Sequence, residues 1–251
     1  MNIALLGYGS MGKSIHRIAL ERGHIVSAII DPNAPEANFR EIIPEALLGI
    51  NLVLDFSHGF AVQKNIKICL KSEVSLLVGT TGWYEKLPEI RKQIESGKIG
   101  FLWSSNFSLG IHLYFRIIAE TAKLIGAFDE YDIWGHEIHH CNKSDSPSGT
   151  TKTLEKILLE NIPRKKSIVE EKLDRRREDD EIHFSSVRGG VVNFAHTIGF
   201  DSAADKILIT HEARNRDGYA LGAVKAAEWL QGKKGYFEME DYLREILNFK
   251  L

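Results

Sequence analysis

The sequence predicts an α/β fold with two domains, the first doubly wound and the second of the α+β class. Three changes of pattern along the 251 residues support this prediction. Short apolar runs alternate with amphipathic helical stretches over about the first hundred residues, strand-like segments then dominate, and a helical period returns from Asp217. Alternating strands and helices are typical of a parallel sheet, whereas consecutive strands are typical of an antiparallel or mixed sheet.

The first part of the chain reads as strand, helix, strand in repetition. Helical stretches with one apolar face are predicted near 10–22, 59–72 and 84–96. The strand candidates are short, mainly apolar runs without alternation: 3–6, 25–30, 52–56, 74–78 and 99–103. Such runs are typical of a parallel sheet covered on both faces, because neither face meets water. We therefore expect a doubly wound sheet here.

The second part of the chain begins after about residue 107 with a helix, and one further helix is predicted at about 149–160. The segments of strand type are 130–139, 166–174, 181–188, 192–200 and 205–213. Mixed charges over 174–181 indicate a solvated hairpin tip rather than a nucleic-acid patch. Helices are expected again over about 217–230 and 239–248, and composition alone does not assign them to either domain.

Composition restricts the classes to which this protein can belong. Its 32 basic and 34 acidic side chains leave a formal net charge of −2, whereas a general nucleic-acid or membrane-surface binder needs a basic excess. Two cysteines, Cys69 and Cys141, cannot form a disulfide framework. No apolar run reaches the roughly 18 residues of a bilayer span, and the first residues lack signal-peptide features. We therefore expect a soluble, cytoplasmic protein with no nucleic-acid or membrane partner.

A glycine-rich turn follows the first predicted strand and opens the first predicted helix. It reads Gly7-Tyr8-Gly9-Ser10-Met11-Gly12, a GxGxxG pattern. The glycines permit a tight turn and a close approach of backbone to a pyrophosphate, and the helix start offers free N–H groups. Asp31 ends the second strand, where its carboxylate can bind the adenosine ribose and would repel a 2′-phosphate. The pattern predicts a dinucleotide site for NADH or NADPH, with NADH favoured.

Two loops at the ends of later strands carry small polar residues. Gly79-Thr80-Thr81-Gly82 follows the fourth strand, and Ser104-Ser105-Asn106-Phe107 follows the fifth. The carboxyl ends of parallel strands share one edge of the sheet, where ligands bind in this class of fold. Taken singly, each loop would read as an ordinary turn. We expect the cofactor's nicotinamide end to contact Gly79, Thr80, Thr81, Ser104, Ser105, Asn106 and Phe107.

The stretch His136-Glu137-Ile138-His139-His140 matches the HExxH pattern of zinc proteases. That pattern binds zinc on a helix, where residues four apart share a face. Gly135 precedes the stretch and a turn-like segment follows it, so we expect a strand instead. On a strand the outer two histidines lie about 13 Å apart, at roughly 3.3 Å per residue, which is too far for one metal ion. We therefore expect no metal site.

The same stretch continues into a loop with groups suited to proton transfer and anion binding. Two histidines and Lys143 precede Ser148-Gly149-Thr150, which opens the helix predicted at 149–160. A helix start offers N–H groups to a carboxylate, and histidine and lysine beside it suit a small acidic substrate. For this segment alone, the alternative is a surface histidine pair beside an ordinary helix cap.

The loop also carries a resemblance to a known family. Residues 137–150 match the pattern E-x-H-H-x-x-K-x-D-x-P-S-G-T at every defining position. This pattern is the signature of the 4-hydroxy-tetrahydrodipicolinate reductase family of bacterial lysine and diaminopimelate biosynthesis. The similarity spans most of the chain and includes the glycine turn together with 79–82, 106–110, 186–190, 196–197 and 209–211.

The resemblance implies a fold, an activity and roles for particular residues. The implied fold is a Rossmann-type nucleotide-binding domain over 1–107 and 216–251, with a substrate-binding domain over 108–215. The open mixed sheet of that second domain would build a homotetramer. The implied activity is NAD(P)H-dependent reduction of a small dicarboxylate without a metal. His139 resembles the proton donor and Lys143 the second catalytic residue, and the substrate contacts would be His140, Ser148, Gly149 and Thr150.

The sequence departs from the family pattern in one loop. The family usually continues R-G-G-D-I-V-G-E-H, whereas this chain reads R-G-G-V-V-N-F-A-H over 188–196. We expect the change to affect the loop and the subunit contact, but not the residues assigned to chemistry. Two other functions stay open: another two-domain NAD(P)-dependent dehydrogenase of amino-acid metabolism, and a non-catalytic NAD-responsive regulator.

Overall fold

The structure is a computed structural model that describes residues 1–95 and 97–247. Its strands are β1 (Asn2–Leu6), β2 (Ile25–Ile30), β3 (Leu52–Asp55), β4 (Ser75–Val78), β5 (Gly100–Trp103), β6 (Asp132–His139), β7 (Ser167–Val169), β8 (Glu181–Arg188), β9 (Phe194–Asp201), β10 (Lys206–Ala213) and β11 (Gly235–Glu238). Its helices are α1 (Ser10–Glu21), α2 (Val62–Lys71), α3 (Leu87–Glu95), α4 (Leu109–Ile125), α5 (Gly149–Asn161), α6 (Asp217–Leu230) and α7 (Met239–Leu247).

The chain divides into two compact units. The first comprises Met1–Ser108 with Arg216–Leu251, and the second comprises Leu109–Asn215. Nucleotide binding by the first unit and substrate binding by the second stay predictions. No helix in the described part of the chain is long and apolar enough to cross a bilayer.

The first unit is built on a six-stranded parallel sheet in the order β11-β5-β4-β3-β1-β2. This arrangement confirms the doubly wound sheet that the apolar runs predict. All four residues of β3 are buried, and so are all residues of β4 except Ser75, as expected for a sheet covered by helices on both faces. The edge strand β11 was not predicted, because its half-exposed residues Gly-Tyr-Phe-Glu form no apolar run.

Two predicted helices have different ends from those expected. The helix predicted over 84–96 opens with a 3-10 turn at Tyr84–Lys86, and the α-helix begins at Leu87. Pro88 is compatible with this start, because the first turn of a helix needs no N–H donor there. Ser96 and Asn248, which the sequence placed in helices, lie outside the described residues.

The second unit holds a five-stranded mixed sheet in the order β10-β9-β6-β8-β7. Strand β9 pairs antiparallel with β10 and β6, whereas β8 pairs parallel with β6 and β7. Helices α4 and α5 pack together, and their apolar residues form one buried cluster with inward side chains of the sheet. The α+β class and the mixed sheet are therefore confirmed.

The prediction of a hairpin tip over 174–181 is wrong. The segment joins β7 to β8, which run parallel, so it is a crossover connection. Its charges are tied to the fold, since Arg177 lies 2.6 Å from Asp132 and the buried Lys165 donates to the carbonyls of Asp179 and Glu181. Alternating charge gives no information about strand direction, and the strand expected over 166–174 is only three residues long.

Candidate active site

The glycine turn of the first unit packs against backbone at Gly7 and Gly12 and has free space beside Gly9. Gly7 has φ +85°, and a Cβ there would lie 2.4 Å from the carbonyl oxygen of Phe56. A Cβ at Gly12 would lie 2.2 Å from the carbonyl oxygen of Gly7, whereas one at Gly9 would meet nothing within 4 Å. Helix α1 begins directly after Gly9 without a side-chain cap. The open side therefore suits an anion held by backbone N–H groups.

Asp31 is fixed beside this turn. One carboxylate oxygen accepts from the backbone N–H of Tyr8 at 2.7 Å, and the other accepts from those of Asn33 and Ala34 at 2.8 Å. Burial by itself would raise the pKa of Asp31, but these backbone N–H groups bring it below its usual value. The carboxylate is therefore ionised, as a ribose-binding group must be.

Gly7, Gly9, Asp31 and Arg40 are among the residues that line a cleft of about 460 Å³ in the first unit. That volume lies within the usual range for a small-molecule site. Arg40 donates to the carbonyl oxygen of Ala34 at 2.8 Å, so part of its guanidinium is already engaged in the loop after Asp31. The open turn, the ionised Asp31 and the cleft fit the adenosine half of a dinucleotide.

The other residues of the turn lie around the start of α1. The Ser10 hydroxyl accepts from the guanidinium of Arg216 at 2.6 Å. The Tyr8 hydroxyl lies 2.5 Å from Nδ1 of His16, and Met11 is half-buried. The structure thus brings a cation to the predicted pyrophosphate position, which the sequence pattern did not indicate.

The loops predicted to hold the nicotinamide end follow neighbouring strands, β4 and β5. The structure buries several of their side chains: Thr80 donates to Asp55 at 2.9 Å, and the Phe107 ring packs near that of Phe56. Ser104 donates to the carbonyl of Asn106 at 2.6 Å. A ligand can therefore reach Thr81, Ser105 and backbone atoms, which are exposed, more readily than these buried side chains.

Asp55 is a residue of this region that sequence reasoning missed. It is fully buried at the end of β3 and accepts from Ser57, Asn65 and Thr80. It joins the loop after β3 to the loop after β4. Its position at a strand end beside Ser57 was visible in the sequence, but its partner Thr80 lies on another strand.

The second candidate site is built on the inward face of β6. Buried and partly exposed residues alternate along this strand, which places Glu137 and His139 on the face toward the helices. In the register of the sheet, Glu137 lies directly opposite His196 of β9 and Ser186 of β8. The HExxH stretch therefore occupies a strand as far as His139, as predicted, and His140 follows the end of that strand.

Glu137 is a fully buried carboxylate surrounded by donors. It accepts from the hydroxyl of Thr151 at 2.7 Å, from the hydroxyl of Ser186 at 2.9 Å, from the backbone N–H of Ser148 at 3.1 Å and from Arg188 at 2.7 Å. Burial alone would raise its pKa, but the hydrogen bonds and nearby His196 hold the pKa far below the usual range. Glu137 is therefore a permanent anion.

His139 lies beside that anion and is 6% exposed. Its Nε2 atom is 3.3 Å from Oε2 of Glu137 but makes no aligned hydrogen bond. Its ring stacks on that of Phe194, with centroids 5.7 Å apart, and stands edge-on to that of His196 at 5.3 Å. Phe194 occupies the position of a glycine in the family pattern. The expectation that this departure leaves the chemical residues untouched is therefore wrong.

The charges around His139 keep its imidazole neutral. Burial lowers the pKa of His139 to about 4, and the charge of Glu137 opposes this shift. His196, Lys143 and Arg188 lower the pKa further. At neutral pH the free protein therefore holds His139 without the extra proton that a proton donor requires.

The loop after β6 holds the remaining predicted substrate contacts. Lys143 donates to Asp145 at 2.6 Å, and His140 is half-buried. Ser148 caps α5, since its hydroxyl accepts from the backbone N–H of Thr151 at 3.2 Å. Ser148 is buried, and its hydroxyl also lies 3.2 Å from His196. These bonds fit a structural cap better than a direct substrate contact.

The two residues after Ser148 are better placed to meet a ligand. Gly149 is exposed, and a Cβ there would meet nothing within 4 Å. Thr150 is half-buried. They lie in the first turn of α5, and this turn carries no acidic side chain. The helix start is therefore open to a carboxylate.

Glu137, His139 and His196 are three groups of the kind that bind metal ions, and their ligand atoms lie within 4.8 Å of one another. The surroundings fit a hydrogen-bonded anion better. Arg188 already places a positive charge 2.7 Å from Glu137, and Thr151 and Ser186 use further lone pairs of the same carboxylate. The prediction that the chemistry needs no metal stays a prediction.

Sequence reasoning assigned no role to Glu137, Arg188 or His196, although the family pattern contains all three. A usable signal was present for Glu137. On a strand, residues two apart share a face, so the predicted strand already placed Glu137 beside His139. No such signal existed for Arg188 and His196, whose positions depend on the register of neighbouring strands.

Comparison with known proteins identifies relatives of the whole chain. Two family models match it, described as dihydrodipicolinate reductase N-terminus over residues 1–107 and C-terminus over residues 110–243. The chain is 37% identical over 246 residues to 4-hydroxy-tetrahydrodipicolinate reductase of Christiangramia forsetii, covering 98% of this chain and 99% of that protein. It is 33% identical over 245 residues to the enzyme of the same name from Methanoregula boonei, covering 94% of each.

Solved structures show the same fold. The dipicolinate-bound dihydrodipicolinate reductase from Paenisporosarcina sp. TG-14 aligns with a TM-score of 0.75 at 22% identity, covering 96% of this chain and 98% of that one. A probable dehydrogenase from Thermotoga maritima aligns with a TM-score of 0.56 at 11% identity, covering 96% of this chain and 92% of that one. The Rossmann-type first unit and the mixed-sheet second unit are thus a known combination.

Proposed function

The chain belongs to the dihydrodipicolinate reductase family, and from this premise we propose which of its residues perform the reaction. It is an NAD(P)H-dependent oxidoreductase that reduces 4-hydroxy-tetrahydrodipicolinate to tetrahydrodipicolinate in lysine and diaminopimelate biosynthesis. Bound NAD(P)H supplies a hydride, and the net reaction also takes up a proton and releases water. The residues of the chain hold the cofactor, neutralise two carboxylates and supply the proton.

In this proposal the first unit binds the cofactor and prefers NADH. The backbone from Gly7 to Gly12 and the start of α1 hold the pyrophosphate, with Arg216 nearby. Asp31 accepts from the ribose hydroxyls and repels a 2′-phosphate, while Arg40 has one nitrogen engaged with the loop. The segments 79–81 and 104–107 hold the nicotinamide end, chiefly through backbone atoms and the exposed side chains of Thr81 and Ser105.

His139 is the proton donor in this proposal, and the contacts around its ring are the observation that carries the assignment. The imidazole is neutral in the free protein because burial, Lys143 and Arg188 lower its pKa. A dicarboxylate brings two negative charges to these cations. A negative charge within about 4–6 Å favours the protonated imidazole and therefore raises the pKa of a histidine. When the substrate binds, the His139 imidazole therefore takes up the proton that the reaction consumes.

Lys143, His140 and the start of α5 neutralise the substrate carboxylates in this proposal. Lys143 exchanges its bond to Asp145 for one to the substrate, so its charge acts in binding and in turnover. Gly149 and Thr150 offer backbone N–H groups. Ser148 keeps the helix start in place rather than touching the ligand.

We also propose that the chain forms a homotetramer through the outward face of the second sheet. The strand residues that point away from α4 and α5 include Trp134, Val187 and Leu208. Val187 and Leu208 are 48% and 50% exposed. Light scattering should give the mass of four chains, and Leu208→Glu should lower that mass.

The reductase assignment is tested by a ligand experiment and an activity assay. We expect NADH to raise the unfolding temperature, and pyridine-2,6-dicarboxylate, a planar substrate mimic, to raise it further when NADH is present. A dehydrogenase with another substrate, or a non-catalytic NAD-responsive regulator, would respond to NADH alone. In a coupled assay with freshly prepared substrate, we expect a lower KM for NADH than for NADPH. Absence of turnover with both cofactors would contradict the assignment.

A further inference from the structure

We propose that Glu137 is a positioning residue that is hydrogen-bonded to the start of α5 and to Arg188 and that holds the His139 ring, whose Nε2 lies 3.3 Å from Oε2 of Glu137. The same carboxylate thus bonds the start of the helix that receives the substrate carboxylates through both of its oxygens and faces the proton donor with one of them, Oε2. The inference rests on the proposed role of His139 as the proton donor. It assigns Glu137 no contact with the substrate.

The two oxygens of Glu137 share one donor, the backbone N–H of Ser148 at 3.1 Å from Oε1 and 3.3 Å from Oε2, and otherwise have different partners. Oε1 accepts from Arg188 at 2.7 Å, from Ser186 at 2.9 Å and from the backbone N–H of Ser148 at 3.1 Å. These bonds tie the carboxylate to β8 and to the cap of α5. Oε1 thus accepts two short side-chain bonds, at 2.7 and 2.9 Å, whereas Oε2 accepts one, at 2.7 Å from Thr151, and is the oxygen that can accept a further donor.

Oε2 is the oxygen that faces the histidines. It accepts from the Thr151 hydroxyl at 2.7 Å and lies 3.3 Å from Nε2 of His139 and 3.2 Å from Nε2 of His196. Nε2 of His139 is buried and has no aligned partner among the described residues. When His139 gains a proton, both ring nitrogens become donors, and Oε2 is the acceptor within reach. Glu137 therefore fixes the ring most strongly in its protonated state.

The charges that face His139 come from several elements. Glu137 is on the same strand, Lys143 is in the following loop, Arg188 is on β8 and His196 is on β9. The carboxylate of Glu137 favours a proton on His139, whereas the other three oppose it. Without Glu137, the charges of the substrate alone would have to offset the lowering of the His139 pKa by burial, Lys143 and Arg188. Glu137 therefore also helps the ring to gain its proton when the substrate binds.

The proposal is tested with Glu137→Gln, which keeps the size and removes the charge, and with Thr151→Val, which removes the 2.7 Å bond to Oε2. The matched control is Glu155→Gln, another buried carboxyl group of the same unit. Pyridine-2,6-dicarboxylate is titrated into the NADH-loaded protein in buffers of different ionisation enthalpy at about pH 6.5. The difference in binding heat gives the number of protons taken up, and unfolding midpoints report folding.

We expect the unmodified protein and Glu155→Gln to take up a large fraction of one proton on dicarboxylate binding. Glu137→Gln should take up less than about half of that amount and lose at least about 10-fold in kcat, within the range for impaired general acid catalysis. Its KM for NADH should change less than about 2-fold. Thr151→Val should show a smaller change of the same sign, and kcat of Glu137→Gln should recover partly at lower pH.

Two results separate this inference from the proposed function. If His139→Gln takes up the same proton as the unmodified protein, His139 is not the donor and both proposals are overturned. If His139→Gln loses the uptake but a folded Glu137→Gln keeps normal uptake and kcat, the role of Glu137 alone is overturned. If Glu137→Gln does not fold, unchanged uptake and kcat in Thr151→Val overturn that role instead.

Discussion

The two candidate sites differ in which part of the chain forms them. The site of the first unit consists mainly of backbone N–H groups and of space left by missing side chains, as at Gly9. The site of the second unit consists of side-chain groups whose charges act on one another, with Glu137 at their centre. We infer that added volume damages the first site and altered charge damages the second.

The largest effect is expected for His139→Gln, which removes the titratable group and keeps a polar side chain. We expect kcat to fall by about 10²–10⁴-fold with a modest change in substrate KM, because a general acid acts in the chemical step. Steady-state kinetics across about pH 6–8 check this result. A kcat close to that of the unmodified enzyme over this range would assign the proton to Lys143 or to a bound water.

Lys143→Ala should damage kcat and substrate KM together, because a lysine that neutralises a carboxylate acts in the ground state and in the transition state. His140→Gln should weaken substrate binding more than turnover. Affinity for NADH, measured by fluorescence titration, should survive both changes. A Lys143→Ala variant with an altered kcat and an unchanged KM would argue against a carboxylate contact.

Gly12→Ala and Gly9→Ala form a matched pair for the first site. A Cβ at position 12 meets the carbonyl oxygen of Gly7 at 2.2 Å, so we expect Gly12→Ala to destabilise the fold by at least about 1–3 kcal/mol and to abolish NADH binding. Gly9→Ala meets no protein atom within 4 Å and should keep its unfolding midpoint while losing NADH affinity. Full NADH affinity in Gly9→Ala would place the pyrophosphate elsewhere.

Asp31→Ala should narrow the preference for NADH over NADPH, because the carboxylate that repels a 2′-phosphate is gone. The three backbone N–H groups that donate to Asp31 lose their acceptor as well, so we also expect a higher KM for NADH. Asp31→Asn, which retains an oxygen acceptor, separates the two causes. A clear preference of the unmodified enzyme for NADPH would overturn the proposal and direct attention to Arg40.

The smallest effect concerns the pH dependence of stability. Glu155 is buried, and burial together with the neighbouring Glu170 raises its pKa to about 7. Because the folded-state pKa is above the unfolded value, the stability from this group is complete below about pH 4.5 and is lost as the pH rises through about 7. Glu155→Gln should therefore flatten the fall in unfolding free energy between about pH 5.5 and pH 8, measured by denaturant titration.

Glu137 provides the opposite case in the same unit. Its pKa is lowered on folding, so its contribution is present at neutral pH and is lost only in acid. Glu137→Gln should lower stability at pH 7 and leave the slope near neutral pH unchanged. A flatter fall in unfolding free energy near neutral pH in Glu137→Gln would show that the carboxylate is not permanently ionised.

The sequence predicted well what depends on local pattern. Apolar runs located the parallel strands, and the glycine turn with Asp31 located the cleft, because neighbours along the chain form these features. The crossover between β7 and β8 was missed, since strand direction depends on pairing partners far away in the sequence. The hydrogen bond of Thr80 to Asp55 was missed for the same reason, although it turns an expected ligand contact into a structural one.

The loop before β9, residues 189–193, restricts which insertions and deletions the second unit can accept. It differs from the family pattern at several positions between Gly190 and His196, yet it has the same number of residues. Side chains alternate along β9, and His196 must face Glu137 directly across the sheet. One residue inserted or deleted in the loop and carried through the strand would turn His196 to the outer face and place a neighbour beside the carboxylate. A change in the length of the loop is therefore compatible with the site only where the register of β9 stays the same.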